Sequence, residues 1–90
     1  MATQDASLSE ILAANMQLYP NPTNGTVTLE NSTSQTVAAE IYDAGGRLIL
    51  KTDIAPGISQ KDLGSLDEGI YQIVFTSGEA RTTQKLSVTH

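Results

Sequence analysis

The sequence predicts an all-β sandwich, and three observations carry the prediction. From Met16 onward, apolar residues recur with a period of two, as in strands with one wet face. The runs are short and are separated at regular spacing by Asn24-Gly25, Ala44-Gly45-Gly46, Pro56-Gly57 and Ser77-Gly78-Glu79, residues that supply turn backbone. Finally, Leu66-Asp67-Glu68-Gly69-Ile70-Tyr71 has the pattern of a tyrosine corner, in which a phenol bonds back to upstream backbone and ties the crossover between two sheets. Together these predict an immunoglobulin-like Greek-key β-sandwich of about seven antiparallel strands.

Taken in order, residues 1–15 carry no strand pattern. Ser7 to Ala14 has the composition for one or two helical turns, with Ser7 as N-cap and Glu10 closing a capping box. So short a helix is marginal in water by itself. The segment therefore either docks on the sandwich or stays a flexible linker ahead of a domain spanning residues 16–90, and the linker is the favoured reading. Pro20 and Pro22 remove two N–H donors, so the first strand is short or lies at an edge. Val27 and Leu29 alternate with threonines and Glu30, and Val37, Ala39 and Ile41 alternate with Ala38, Glu40 and Tyr42. Arg47 to Ile54 is apolar without interruption through Leu48-Ile49-Leu50, which predicts a central strand. Pro56-Gly57 fits a type II turn. Tyr71, Ile73 and Phe75 face one way, with Gln72 and Thr76 the other. Leu86 and Val88 alternate with Lys85, Ser87 and Thr89 in the last strand. Gly69 permits a tight turn just before its strand.

Ninety residues make one domain with one modest core. Cysteine is absent, so neither a disulfide nor a thiolate is available. Ten acidic residues against five basic ones give a net charge of −5, which disfavours nucleic acid and anionic lipid. No stretch approaches the roughly 20 apolar residues of a membrane-spanning helix. Met1 to Asn15 has no basic segment followed by an apolar one, so it is not a signal peptide. The chain is therefore either cytoplasmic or an excised fragment of a longer secreted protein, and the fragment is the favoured reading.

The residues offer little chemistry. The sole histidine, His90, is terminal, with nothing in the pattern to hold it against a nucleophile. Asp67 and Glu68 are adjacent and point apart, so they do not form a carboxylate dyad. Asp43, Asp53, Asp67 and Glu68 lie in loops without a DxDxDG run, and zinc has no ligand set. No cofactor is expected. Asn24-Gly25-Thr26 and Asn31-Ser32-Thr33 have glycosylation spacing, but turn propensity explains both. With three tyrosines and no tryptophan a sugar platform is poorly provided for, Tyr42 being the one candidate for an outward ring.

Four blocks stand in a fixed order: Leu18-Tyr19-Pro20-Asn21-Pro22-Thr23-x-Gly25, Tyr42-Asp43-x-x-Gly46-Arg47, Leu66-x-x-Gly69-Ile70-Tyr71-x-Ile73 and Lys85-Leu86-x-Val88. In this order and spacing they resemble the type A C-terminal sorting domain, or Por secretion tail, of the type IX secretion system of Bacteroidota. The resemblance implies a non-enzymatic signal at the end of a cargo protein that reaches the periplasm through an ordinary signal peptide. It implies recognition of the folded domain by the outer-membrane translocon and its shuttle proteins. It further implies that a surface sortase-like protease removes the domain and that the cargo is secreted or joined to lipopolysaccharide at the cell surface.

Carried over residue by residue, the candidate recognition positions are Gly46, Arg47, Gly69, Tyr71, Lys85, Leu86 and Val88. Arg47 and Lys85 are the expected solvent-facing contacts, while the other five serve folding at least as readily. The backbone edge of the last strand is a further candidate contact, by strand addition. Processing is expected within residues 1–15, near Ala6, Ser7, Ala13 or Ala14. The domain is expected to be a monomer that neither binds nucleic acid nor inserts into the membrane. The residues also admit a different class of function, an immunoglobulin-like adhesion, carbohydrate-binding or spacer module that stays on the mature surface protein.

Overall fold

The period-two pattern becomes two layers of strands whose alternate side chains meet between them. The computed structural model describes residues 7–90. One helix, α1 (Leu8–Asn15), precedes seven strands: β1 (Met16–Tyr19), β2 (Thr26–Asn31), β3 (Val37–Tyr42), β4 (Leu48–Ile54), β5 (Gly57–Asp62), β6 (Gly69–Ser77) and β7 (Ala80–Val88). All pair antiparallel, in a three-stranded sheet of order β1-β2-β5 and a four-stranded sheet of order β4-β3-β6-β7. The chain changes sheet after β2, β4 and β5, giving the Greek-key, immunoglobulin-like topology.

Inward positions are those the alternation predicts. Val27 and Leu29 on β2 face Val37, Ala39 and Ile41 on β3, Tyr71, Ile73 and Phe75 on β6, and Leu86 and Val88 on β7. Each large side chain so buried contributes about 1.5–3 kcal/mol. Gly25, Gly46, Gly57 and Gly78 have positive φ, as the turn reading requires. At the β6–β7 hairpin Gly78 (φ +59°) precedes Glu79, whose φ is negative, the combination of a type II′ turn.

Two expectations are corrected. The apolar run in β4 does not make a central strand; β4 is an edge, with Leu48 46% and Leu50 37% exposed. A register shift between Ile41 and Tyr42 inserts Ile49 as an extra residue there, which packs against the core, while Leu50, opposite the buried Ile41, is left partly open at the sheet edge. Leu8–Asn15 is a helix docked on the sandwich rather than a flexible segment. The capping box forms, with Ser7 Oγ accepting from Glu10 N and Glu10 Oε1 from Ser7 N, each at 3.1 Å. Tertiary contact then supplies what local propensity lacks. Leu12 is buried, Ser9 Oγ accepts from Arg81 N on β7, and Asn15 O accepts from Ser32 N. Asn31 is buried with its side-chain amide donating to Gln35 O and Ile54 O, so this glycosylation spacing is a structural corner.

Candidate functional site

The last strand, β7, is the frame of the site. Tyr71 pairs with Leu86, and Gln72 with Lys85, so Leu86 and Val88 point into the core while Lys85 and Ser87 point out. On its other side β7 meets the proline-rich segment. Neither proline can donate to a ladder, and the side chain of Asn21 takes the place of backbone. Asn21 Nδ2 donates to Lys85 O at 2.6 Å, and Asn21 Oδ1 accepts from Ser87 N at 3.0 Å. Thr23, buried, continues the seam as a parallel bridge: Thr23 N donates to Ser87 O and Thr89 N to Thr23 O. Every outward backbone group from Lys85 O to Thr89 N is thereby bonded within the domain. Strand addition along this part of the edge, expected from sequence, is blocked. What remains readable there is side chains.

The Tyr42-Asp43-x-x-Gly46-Arg47 block is a self-contained turn between β3 and β4. Asp43 Oδ1 accepts from Gly45 N and Arg47 N, both at 2.9 Å, and Oδ2 pairs with Arg47 Nε at 3.3 Å. The amide of Arg47 above all holds the Asp43 carboxyl below the usual carboxylate range; burial opposes it, and the Gly45 amide and the guanidinium add to the lowering. Gly46 sits at φ +87°, where an L side chain is strained. Tyr42 lies half-buried on the outer face of its sheet, its hydroxyl donating to Glu40 Oε1 at 3.1 Å. That bond, with burial and the Glu40 charge, pushes the phenol up. Tyr42 is not the one outward ring: Tyr19, on the opposite sheet, is 41% exposed.

The third block is the tyrosine corner. Tyr71 is 7% exposed, and its hydroxyl donates to Asp67 O at 2.6 Å, across the β5–β6 crossover. Gly69 has no positive φ, and an added Cβ would lie 4.0 Å from the Tyr71 ring, an ordinary contact. The tight-turn role expected of Gly69 is therefore corrected: the backbone here does not demand glycine. Nor is His90 loose. Its N–H donates to Glu68 Oε1 at 2.9 Å and its Nε2 lies 2.8 Å from Leu66 O, an acceptor, so that nitrogen carries the proton. The contact ties the chain end to the crossover and offers no nucleophile.

All four blocks thus gather at one end of the sandwich, the end where β7 finishes, β6 begins and β3 turns into β4. Arg47 and Lys85 are exposed there, whereas Tyr71, Leu86 and Val88 are buried. The family model of the secretion system C-terminal sorting domain matches residues 17–89. This chain belongs to the type IX secretion C-terminal sorting domains. The chain is also 30% identical over 79 residues to an endo-acting ulvan lyase of Formosa agariphila, a match that covers 84% of this chain and 15% of that protein. The sorting domain is a signal rather than a catalytic unit, implying interaction with the type IX machinery and export to the cell surface or beyond.

Among the candidate processing residues of the sorting domain, Ser7 is the helix N-cap, Ala13 and Ala14 are exposed within α1, and Ala6 lies outside the described residues. Sequence reasoning did not find the partnership of Asn21 and Thr23 with β7. The Pro-Asn-Pro-Thr block signals a turn, and partners 64 and 66 residues away leave no local trace.

Proposed function

We propose that the sorting domain is read as a folded surface, through the motif-bearing end and the outer side chains of β7, and is then cut from its cargo by a surface sortase-like protease. The observation that carries this reading is a separation of ends. Ser9 binds Arg81 at the start of β7, while the motif blocks close around Lys85 to Thr89 at its finish. Four to eight residues of strand put these roughly 13–27 Å apart. A cargo joined upstream of Ser7 leaves the motif end clear for translocon and shuttle proteins. The exposed Arg47 and Lys85 suit direct contact, and Gly46, Tyr71, Leu86 and Val88 suit holding the surface in shape.

The docked α1 narrows the processing region. Nicking concentrates at exposed backbone that is not hydrogen-bonded, which disfavours Ala13 and Ala14 and favours a bond at or before Ser7, beside Ala6. The ulvan lyase relative suggests a secreted polysaccharide-degrading enzyme as the class of cargo. The test is a reporter fused behind a signal peptide and ahead of residues 1–90 in a Bacteroidota host, followed by mass spectrometry of the exported product. A product ending at or before Ser7 is expected, with export lost on deleting 85–90 or in Lys85→Ala at unchanged melting temperature. An exported product that keeps the whole domain would contradict removal and favour an adhesion or spacer module.

A further inference from the structure

The basic residues are unevenly placed. Of the five, Arg47 ends the β3–β4 turn, Lys51 is on β4, and Arg81 and Lys85 are on β7, all in the four-stranded sheet; only Lys61 belongs to the other. Arg47 is paired with Asp43 at 3.3 Å and Lys51 with Glu40 at 3.9 Å. Among the described residues, Arg81 and Lys85 have no acidic partner. The registers put both on the outer face, in rows that run Lys85–Gln72–Tyr42 and Arg81–Thr76–Ala38–Asp53. Between them, Thr83–Val74–Glu40 forms a row in which Val74 is only 5% exposed. The result is a mixed outer face with two unpaired cations along one strand, beside which Ile70 and Leu48 are exposed apolar neighbours.

The outer face of the three-stranded sheet is the reverse. Glu30 and Asp62 point outward there, and Lys61 stands opposite the inward Val27. The two sheets are about 10 Å apart at their backbones, and the screening length is about 8 Å at physiological salt, so the faces act separately. We propose that the outer face along β7, with Arg81 and Lys85 as its unpaired cations, docks against an acidic patch on a protein of the type IX apparatus. The inference rests on the sorting reading and adds the chemistry of the partner. Charge complementarity selects the face and the orientation, because an acidic partner is repelled by the rest of a chain of net charge −5. The sorting reading, which requires contact with the type IX apparatus, makes the partner a protein, and an anionic bilayer is the other outcome of the test.

The test compares two pairs of changes that make the chain more negative by equal amounts. Arg81→Gln with Lys85→Gln removes the cations, and Thr28→Glu with Gln60→Glu adds acids to the opposite outer face, where both residues point away from the core. Labelled protein is titrated onto outer-membrane preparations from a Bacteroidota host with and without its type IX apparatus, at 50 and 300 mM NaCl. The unaltered chain is expected to bind in an apparatus-dependent way, at least threefold more weakly at high salt. The β7 pair is expected to bind at least tenfold more weakly at low salt and to lose the salt dependence. Lys85→Arg and the opposite-face pair are expected to match the unaltered chain in binding, and all variants to be folded at the assay temperature, the opposite-face pair melting somewhat lower because its two added carboxylates stand directly across β2 and β5. Equal losses from both pairs, or none from the β7 pair, would overturn the proposal while leaving the sorting reading intact. Cation-dependent binding to phosphatidylglycerol vesicles of equal strength would overturn the assignment to a protein. If the unaltered chain does not distinguish the two membrane preparations, the sorting reading itself fails, and this inference with it.

Discussion

Replacing Tyr71 by phenylalanine removes one hydroxyl and leaves the ring in place, so it isolates the tyrosine corner from the core. The ring is 7% exposed in either case, and no apolar area is lost. What disappears is a single bond, from the phenol to Asp67 O at 2.6 Å. A net intramolecular hydrogen bond is worth about 0.5–1.5 kcal/mol. Asp67 is exposed, so its carbonyl regains water and the larger penalty for a stranded buried group does not apply. A loss of about 1 kcal/mol is therefore expected, which for a domain of this size lowers the melting temperature by about 4–8 °C. Urea unfolding should show a lower midpoint with an unchanged slope. Export of a fused reporter, at a growth temperature well below the midpoint, should match the unaltered domain, because the hydroxyl points into the crossover. A melting temperature moved by less than about 1 °C would show that the corner bond does not stabilise the fold. Export lost with the melt unmoved would make the hydroxyl a contact with the apparatus.

Other outcomes follow from the same geometry. Gly46→Ala forces a side chain into φ +87° and should cost about 1–2 kcal/mol, whereas Gly69→Ala should melt almost normally; export lost in a normally melting Gly69→Ala would assign that position to recognition. Asn21→Ala removes two bonds to β7, so a loss of about 1–2 kcal/mol is expected, and the Ser87 amide should exchange its hydrogen faster than in the unaltered chain. The folded Asp43 carboxyl ionises more readily than an unfolded one, chiefly through the Arg47 amide. Its contribution is whole above the ordinary carboxylate value and fades below about pH 4. Asp43→Asn should therefore flatten the acid limb of a plot of stability against pH, while leaving the neutral region lower than in the unaltered chain.

Most of the fold is legible in the chain because its determinants are local. Period-two alternation fixed the inward set Val37, Ala39, Ile41 and Ile73, and the glycines at 25, 46, 57 and 78 marked turns that all use positive φ. The tyrosine corner is equally local, spanning four residues. What the sequence hides depends on distant partners. Leu48-Ile49-Leu50 has the apolarity of a central strand, and only the order β4-β3-β6-β7 makes it an edge. An eight-residue helix is marginal until β7 offers Arg81 and a place for Leu12. The candidate site divides in the same way. The exposure of Lys85 follows from alternation with Leu86 and Val88, while the closing of its backbone edge by Asn21 and Thr23 follows only from tertiary structure.

The most direct test of recognition by a folded surface leaves every motif intact and removes the fold. Phe75 is fully buried and lies in none of the four blocks. Phe75→Asp places an unpaired carboxyl in the core, at a cost of several kcal/mol, against a total stability for such a domain of about 5–15 kcal/mol. With the substituted domain shown to be unfolded by circular dichroism, a signal-peptide reporter fused to it should accumulate in the periplasm. Undiminished export of that reporter, with all four blocks present in an unfolded chain, would show that the apparatus reads a linear peptide and contradict recognition of a folded surface.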